Sequence, residues 1–313
     1  MLRTNFDVAF DITRASHVVL TVSDLERSRA FYTEVCGLAV SADENRALYL
    51  RGTSETAHHS VVLYESRDSP ACVALGFRVF KDENLDPLRR FLDRQGLSTS
   101  ETQRPYQSRT LQATDRLGVR YEFCATMARE PRLIDRYDLH RGGRARYLAH
   151  HQIRTPEVLA TTTLWTEGGF RISEWIDLGE EGFHPRAVFL QRKGDPIDLA
   201  VFDGPTPGYH HVAFVSDRTS MLHACDVAQA LGFPRLVEYG PGRHGPSYGL
   251  FLYLRDPDGH RIELFDTNYP MIDSEEEALR WGPNDLNLTW HPEQPASWSS
   301  QVSQFADTGS LPT

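Results

Sequence analysis

Short segments of alternating apolar and polar residues recur along the chain and predict β-strands. The stretch that follows the turn signal DPDG (256–259) is typical, because Ile262 and Leu264 fall on one face and Glu263 falls on the other. A glutamate at such a place points either into water, which antiparallel sheets tolerate, or inward to a partner. Other residues must decide between these two readings.

The same patterning divides most of the chain into four similar units. Each unit begins with an apolar strand, continues with a helix-like segment and ends with several alternating strands. The units span residues 16–66, 71–127, 146–203 and 208–267. Turns rich in Gly, Pro and Asp separate the strands. We therefore predict an α+β fold.

An internal repeat relates the two halves of the chain. HVVLTVSD (17–24) matches residues 150–157, LGFRVFKD (75–82) matches HHVAFVSD (210–217), and DRLGVRYEF (115–123) matches DPDGHRIEL (256–264). The matches place His17 opposite His150, Gly76 opposite His211, and Glu122 opposite Glu263. We expect an N-terminal domain without metal at 1–127, a linker at 128–145, a catalytic domain at 146–270, and a tail at 271–313 that packs on the catalytic domain.

Composition excludes several classes of function. Asp and Glu (43) outnumber Lys and Arg (33) in the 313 residues, so the net charge of −10 argues against a nucleic-acid partner. The four cysteines show no CxxC spacing, which argues against a thiolate zinc site. We see neither a run of 18 apolar residues nor an apolar stretch of signal-peptide length near the N-terminus. A cytoplasmic protein without a membrane span is the expectation.

His150, His211 and Glu263 fall on three different predicted strands of the second half. Two imidazoles and one carboxylate form the facial triad of non-heme Fe(II) sites, which leaves three coordination positions open. Spacing alone is weak evidence in a chain with 13 histidines, but the repeat strengthens it. The matching positions of the first half lack one imidazole and would bind a metal poorly.

Several motifs together resemble one enzyme family. HQIRTPEV, HHVAF, GPGRHG and FLYLRDPDGHRIELF, with VSDLERSRAFYTEVCGL near the N-terminus, are similar to type I extradiol ring-cleaving dioxygenases of the vicinal oxygen chelate superfamily, closest to the homoprotocatechuate 2,3-dioxygenase branch. The resemblance implies two domains, each of paired βαβββ modules that form a funnel-like barrel. It also implies Fe(II), with Mn(II) possible, bound by the three residues named above. A small aromatic diol and O2 would be the substrates of a homo-oligomer, a dimer or a tetramer.

The resemblance also implies roles for residues around the metal. Tyr253 and His244 match groups close to the substrate and O2, and Gln152 stands where that branch has an asparagine. Without the resemblance, Tyr253 is as easily a core tyrosine, and His244 in a Gly-rich loop is more often exposed. Three further histidines are expected to be structural or to support the ligands: His151, His210 and His260.

The chain departs from the family pattern in its predicted substrate pocket. Ile197 replaces the acid–base histidine of the family, although the following Asp198 is kept, and His184 is a speculative substitute. Tyr239 replaces an arginine that holds a substrate carboxylate, and Phe189 replaces a tryptophan. Arg243 is either an anion contact or part of a structural salt bridge. A catecholic substrate without a carboxylate is the expectation.

Two other functions remain open from the sequence. One is a metal-dependent isomerase or lyase of the glyoxalase type, or an atypical oxygenase. The other is a protein that binds an aromatic ligand without turning it over. A three-ligand pattern in a single half favours the dioxygenase over both.

Overall fold

The computed structural model describes residues 2–44, 46–177, 179, 184–192, 194–233, 236–266, 269–285 and 290–306. Thr267, the last residue of the fourth predicted unit, lies outside these ranges, as do 286–289 and 307–313 of the predicted tail. Within the described residues, no helix is both long and apolar enough to cross a membrane.

The first half of the chain folds into one mixed sheet of eight strands. The strands follow the order β2-β3-β4-β1-β5-β8-β7-β6. Their bounds are β1 Ile12–Val22, β2 Ala39–Glu44, β3 Ala47–Arg51, β4 Val61–Glu65, β5 Cys72–Val79, β6 Ser98–Thr102, β7 Thr110–Thr114 and β8 Arg120–Cys124. Helix α1 (Leu25–Ala30), extended by a π-helical turn, follows β1, and helix α2 (Leu85–Arg94) follows β5.

The second half repeats this architecture in a sheet of nine strands. The order is β14-β15-β16-β13-β9-β12-β11-β10-β17. The bounds are β9 Leu148–Thr155, β10 Arg171–Asp177, β11 Pro185–Gln191, β12 Leu199–Asp203, β13 Gly208–Val215, β14 Val237–Arg243, β15 Leu250–Arg255, β16 Arg261–Phe265 and β17 Leu279–Trp281. Helix α3 (Val158–Glu167) follows β9, α4 (Arg218–Ala230) follows β13, and α5 (Ala296–Ser300) lies in the tail.

The predicted fold class is confirmed. Each sheet contains two consecutive βαβββ modules, and the two central strands, β1 with β5 and β9 with β13, pair antiparallel. Local chemistry supports the helix starts: Asp24 caps α1 and Asp217 caps α4, each accepting a backbone N–H of the first turn. The domain boundaries themselves stay predictions.

The halves pack together through large buried side chains. Trp165 of α3 is fully buried and contacts Tyr121 and Phe77 of the first sheet, with ring centroids 4.9 Å and 6.0 Å away. The tail adds β17 beside β10, and its last described residues pair with the first sheet, where Cys72 N donates to Gln304 O at 2.8 Å. The tail therefore lies on both sheets rather than on the second alone.

Strand register corrects one detail of the sequence repeat. His17 and His150 are equivalent. Two residues after each of them, Val19 pairs with Ala74 and Gln152 pairs with His211. Ala74, not Gly76, is therefore the counterpart of His211. The ungapped sequence match was wrong by two residues because it did not take account of where the central strands pair.

Candidate metal centre

Three adjacent strands of the second sheet carry the candidate ligands. His150 lies on β9, His211 on β13 and Glu263 on β16, and Ala213 of β13 pairs with both His150 and Glu263. The β9–β13 pairing shifts register between Tyr209 and His211, which is a bulge. Bulges turn side chains away from the regular alternation and recur next to functional sites.

The three ligand atoms form a nearly equilateral triangle. His150 Nε2 lies 3.2 Å from His211 Nε2 and 3.2 Å from Glu263 Oε2, and His211 Nε2 lies 3.1 Å from the same carboxylate oxygen. An octahedral ion with bonds of roughly 2.2 Å holds adjacent ligands roughly 3.1 Å apart. Among the described residues, this is the only group of three ligand atoms from His, Cys, Asp or Glu that converges so closely.

Hydrogen bonding alone does not account for this triangle. Glu263 can accept from both imidazoles, but the contact between the two Nε2 atoms then sets one donor against another. A divalent cation removes the conflict, because all three atoms then present lone pairs to it. The residues therefore fit a metal ion, which answers why a glutamate faces the core here.

Burial and neighbouring groups set the charge state of these side chains. Burial lowers the pKa of His211 to about 4, so its imidazole is neutral at pH 7. Burial would raise the pKa of Glu263, but hydrogen bonds from His150, His211 and His244 outweigh it and bring that pKa well below its usual value. A neutral imidazole and an ionised carboxylate are the forms that bind metals.

A chain of polar contacts orients the His211 ring through Nδ1, the ring nitrogen that is not part of the triangle. Its Nδ1 lies 2.8 Å from His210 Nδ1, and His210 Nε2 lies 2.8 Å from Trp298 O. Such contacts fix the ring and leave Nε2 free for a metal. His150 Nδ1, in contrast, is buried without a hydrogen-bond partner among the described atoms.

The three residues of the triangle line a cavity of about 210 Å³. Most of its lining is aromatic or aliphatic, and the described residues of the lining include neither Lys nor Arg. The lining consists of His150, Gln152, Ile176, Phe189, Ile197, Phe202, His211, Tyr239, His244, Gly245, Pro246, Ser247, Tyr253, Glu263, Phe265, His291, Gln294 and Trp298.

Tyr253, His244 and Gln152 all reach this cavity. His244 Nε2 lies 2.9 Å from the Tyr253 hydroxyl and 3.5 Å from Glu263 Oε1. Burial and the nearby Glu263 raise the pKa of Tyr253 well above its usual value, so the phenol stays protonated. Gln152 Nε2 is buried without a partner in the described structure, which leaves an amide donor for a ligand.

The structure separates the predicted pocket residues into two groups. Phe189, Ile197 and Tyr239 line the cavity. Asp198 lies outside the lining, and its carboxylate accepts Ala15 N and Arg192 N at 2.8 Å each. Arg243 also lies outside and donates to Tyr248 O at 2.6 Å. The structure does not support a pocket role for these two residues, because both side chains are engaged elsewhere.

The remaining histidines have structural partners or lie at the surface. His151 lies 3.2 Å from the Tyr209 hydroxyl and 3.3 Å from Gly76 O, and His260 lies 2.9 Å from Thr21 O. The contacts with Gly76 and Thr21 tie the second half to the first, and His210 supports His211. His184 is exposed and outside the lining, so the structure does not support it as a substitute acid.

The sequence reasoning missed the contribution of the tail to the cavity. His291, Gln294 and Trp298 all line it, and the Arg261 guanidinium lies 5.0 Å from the centre of the Trp298 ring. The only signal in the sequence was a set of widely spaced tryptophans in an otherwise polar segment. That signal predicts packing but does not identify the surface that is covered.

Comparisons with known proteins agree with this geometry. Metapyrocatechase from Pseudomonas sp. (strain CF600) is 28% identical over 301 residues, which cover 88% of this chain and 92% of that protein. Manganese-dependent 2,3-dihydroxybiphenyl 1,2-dioxygenase from Geobacillus genomosp. 3 is 24% identical, with 90% and 94% covered. Homoprotocatechuate 2,3-dioxygenase from Brevibacterium fuscum, in a complex with 3,4-dihydroxyphenylacetate, superimposes with a TM-score of 0.92 at 32% identity and covers 99% of this chain and 98% of its own.

The family model matches both halves of the chain. It is described as "Glyoxalase/Bleomycin resistance protein/Dioxygenase superfamily", and the matched residues are 14–123 and 141–264. These ranges cover nearly all of the four βαβββ modules, and they contain all three candidate ligands. The chain therefore belongs to the Glyoxalase/Bleomycin resistance protein/Dioxygenase superfamily.

Proposed function

We propose that this chain is an extradiol-type dioxygenase that uses a divalent metal and O2 to open an aromatic ring beside an ortho-diol. The triangle of His150, His211 and Glu263 is the observation that carries the proposal. Two imidazoles and one carboxylate on one face of an ion are typical of non-heme Fe(II) oxygenases. Because one similar protein is named as manganese-dependent, Mn(II) is the alternative metal. When bound, the ion supplies the Lewis acidity and electron transfer that ring cleavage needs.

The residues of the chain position the substrate and handle its protons. The protonated Tyr253 hydroxyl donates a hydrogen bond toward a substrate oxygen, and His244, whose Nε2 lies 2.9 Å from that hydroxyl, gives a proton to the substrate or takes one from it. The free amide of Gln152 donates from the β9 side of the cavity. Ile197 carries no proton, so the His244–Tyr253 pair performs the acid–base work that the family assigns to a histidine there.

The cavity wall favours an uncharged or apolar-substituted catechol. Phe189, Ile197 and Phe202 form one side, and Tyr239 stands where the related branch has an arginine. A tyrosine cannot form a bidentate charge-assisted pair with a carboxylate. We therefore propose a substrate different in charge from the 3,4-dihydroxyphenylacetate bound by the Brevibacterium fuscum enzyme.

Two comparisons of activity test the proposal. The protein is loaded with Fe(II) or Mn(II) without air and mixed with O2 and catechol, 4-methylcatechol or 3,4-dihydroxyphenylacetate. We expect O2 uptake and a yellow ring-opened product, with kcat/KM for 4-methylcatechol at least about tenfold above that for the carboxylate. The variants His211→Ala and Glu263→Gln should lose both metal and activity, whereas His223→Ala, an exposed histidine on α4, should keep both.

The outcomes separate the two parts of the proposal. Full metal content without O2 uptake on any catechol would exclude the dioxygenase and favour an isomerase, a lyase or a binding protein. A preference for the carboxylate would exclude only the proposed substrate class. The described residues bring together three protein ligands rather than four, which supports the dioxygenase.

We also propose a cytoplasmic homo-oligomer of two or four chains. The four cysteines are free thiols, and three of them are buried, as expected in a reducing compartment. The resemblance to the extradiol family supports the oligomer. Light scattering after gel filtration tests it, and a monomer at micromolar concentration would contradict it.

A further inference from the structure

The first sheet buries a polar cluster that the proposed reaction does not use. His17, His59 and Glu122 are each at most 1% exposed. His17 Nε2 lies 3.4 Å from Glu122 Oε1. The amide nitrogen of Gln107 lies between the two imidazoles, 3.2 Å from His17 Nε2 and 3.1 Å from His59 Nε2.

Strand register relates this cluster to the metal centre of the second sheet. Glu122 pairs with Gly76, the neighbour of His17, just as Glu263 pairs with Ala213, the neighbour of His150. His59 and Ile197 occupy equivalent positions as well. His59 lies two residues before Val61, which pairs with Val18, the residue after His17. Ile197 lies two residues before Leu199, which pairs with His151, the residue after His150. The first sheet therefore also holds two imidazoles and one carboxylate. Its second imidazole comes from His59, the counterpart of Ile197, because the counterpart of His211 is Ala74.

The cluster has the supporting contacts of a metal site. His59 Nδ1 lies 3.2 Å from His58 Nδ1, which repeats the contact between His211 and His210. His17 Nδ1 lies 3.2 Å from Ser16 Oγ. Partners on the outer ring nitrogens leave the Nε2 atoms to face inward.

Two side chains block a cation in this cluster. Gln107 fills the space between the imidazoles. Arg104 Nη2 lies 3.0 Å from Glu122 Oε2, and its Nε donates to the same oxygen at 3.1 Å. The Arg104 guanidinium neutralises the carboxylate, so a divalent ion would leave an uncompensated charge in a buried place. Arg78 is a further cation close enough to lower the pKa of His59, and it adds to this repulsion.

We infer that His17, His59 and Glu122 form a latent divalent-metal site, which Gln107 and Arg104 keep closed in the native protein. Arg104 takes the place of the metal charge, and the Gln107 amide takes the place of the ion between the imidazoles. Both residues also line a surface cavity of about 640 Å³, through which an ion would reach the cluster once they are shortened. Imidazole and carboxylate ligands suit Zn²⁺ or Co²⁺.

Metal stoichiometry tests this inference independently of the proposed function. All variants are made with Glu263→Gln, which removes the metal centre of the second sheet, and are equilibrated with Zn²⁺ before dialysis. The native first sheet should retain close to no ion per chain. The double variant R104Q/Q107A should retain one, and Co²⁺ in its place should give visible d–d absorption. Adding His59→Ala or Glu122→Gln should abolish that binding.

A matched variant controls for loosening of the sheet. Gln112→Ala also removes an amide, which donates to Glu122 Oε2 at 3.1 Å, but it leaves Gln107 in place and should bind no ion. Native-like circular dichroism of R104Q/Q107A without bound ion would overturn the inference. So would an ion retained by the native first sheet that His59→Ala removes. If the double variant does not fold, Gln107→Ala alone should bind Zn²⁺ more weakly, and a lack of any binding at millimolar Zn²⁺ would also overturn the inference.

Discussion

Ile197 is the single residue that most separates this pocket from the family pattern. Its side chain is buried in the wall of the cavity and offers no proton. We predict that Ile197→His raises kcat on unsubstituted catechol by about tenfold or more, because a positioned general acid contributes about 10²–10⁴-fold. The pH profile should gain a group that titrates below pH 6.5, the ordinary pKa of histidine, because burial in the apolar wall lowers the pKa of an imidazole.

Ile197→Gln is the control for this prediction, since it adds polarity without a titrating group. If both variants lose activity equally, the proton route runs through His244 and Tyr253 alone and the wall serves only to bind an apolar ring. The measurement is steady-state O2 uptake over pH 5–9 with the metal content of each sample determined.

The loop that follows β14 is held against the cavity by one buried carboxylate. Ser247, which lines the cavity, donates its backbone N–H to Glu174 Oε1 at 2.8 Å and to Oε2 at 2.9 Å. Trp281 Nε1 donates to Glu174 Oε2 at 2.6 Å, and the Tyr269 hydroxyl donates to Oε1. Burial raises the pKa of Glu174, while these donors work against that rise. Glu174 thus joins β10, the loop and the tail.

We predict that Glu174→Gln raises KM for catechols several-fold and lowers the free energy of unfolding by about 1–3 kcal/mol. The cause is that the NH2 group of glutamine faces N–H donors where the carboxylate accepted them. Trp281→Phe, which removes a single donor, should have a smaller effect on both. An unchanged KM together with lower stability would show that the loop keeps its place without Glu174.

The sequence predicted regular elements and repeated residues better than it predicted side-chain surroundings. The four modules follow from alternation and self-similarity, which are local or repeated signals, whereas the trio His150, His211 and Glu263 also needed the family motifs. The sequence did not show that His59 and Ile197 are equivalent. The distance along the chain between equivalent residues of the two halves grows from 133 residues at His17 to 138 at His59. Only strand pairing reveals such a shift.

The misplaced pocket residues have the same kind of cause. Asp198 follows Ile197 directly in the irregular segment before β12, but its carboxylate accepts the backbone N–H groups of Ala15 and Arg192 instead of reaching the cavity. The role of Trp298 in the cavity depends on the path of an irregular tail. No periodic pattern in the sequence records that path.

At the scale of the whole molecule, one carboxylate fastens the tail over the metal centre. Glu238 binds Arg261 at 2.6 Å and Arg255 at 2.9 Å, and it accepts the hydroxyl of Ser297 at 2.6 Å, next to Trp298. Burial would raise the pKa of Glu238, but the hydrogen bonds from these arginines outweigh it and lower that pKa to about 2. A carboxyl whose folded pKa lies below its ordinary value of 4.5 stabilises the fold above pH 4.5 and loses that effect as the pH falls toward 2.

We therefore predict a pH-dependent gap in stability between the native protein and Glu238→Gln, both measured without metal. Urea unfolding should show the variant less stable by about 3 kcal/mol from pH 7 to pH 5, and the gap should shrink steadily below about pH 4.5. Glu293→Gln, an exposed tail glutamate, is the control and should show little gap. Tryptophan emission should shift to longer wavelength in Glu238→Gln at pH 7, because the Trp298 indole becomes more exposed to solvent. Arg261 then loses the carboxylate that holds it over the indole ring. A gap that is constant down to pH 3 would mean that the tail is fastened by packing and not by this charge.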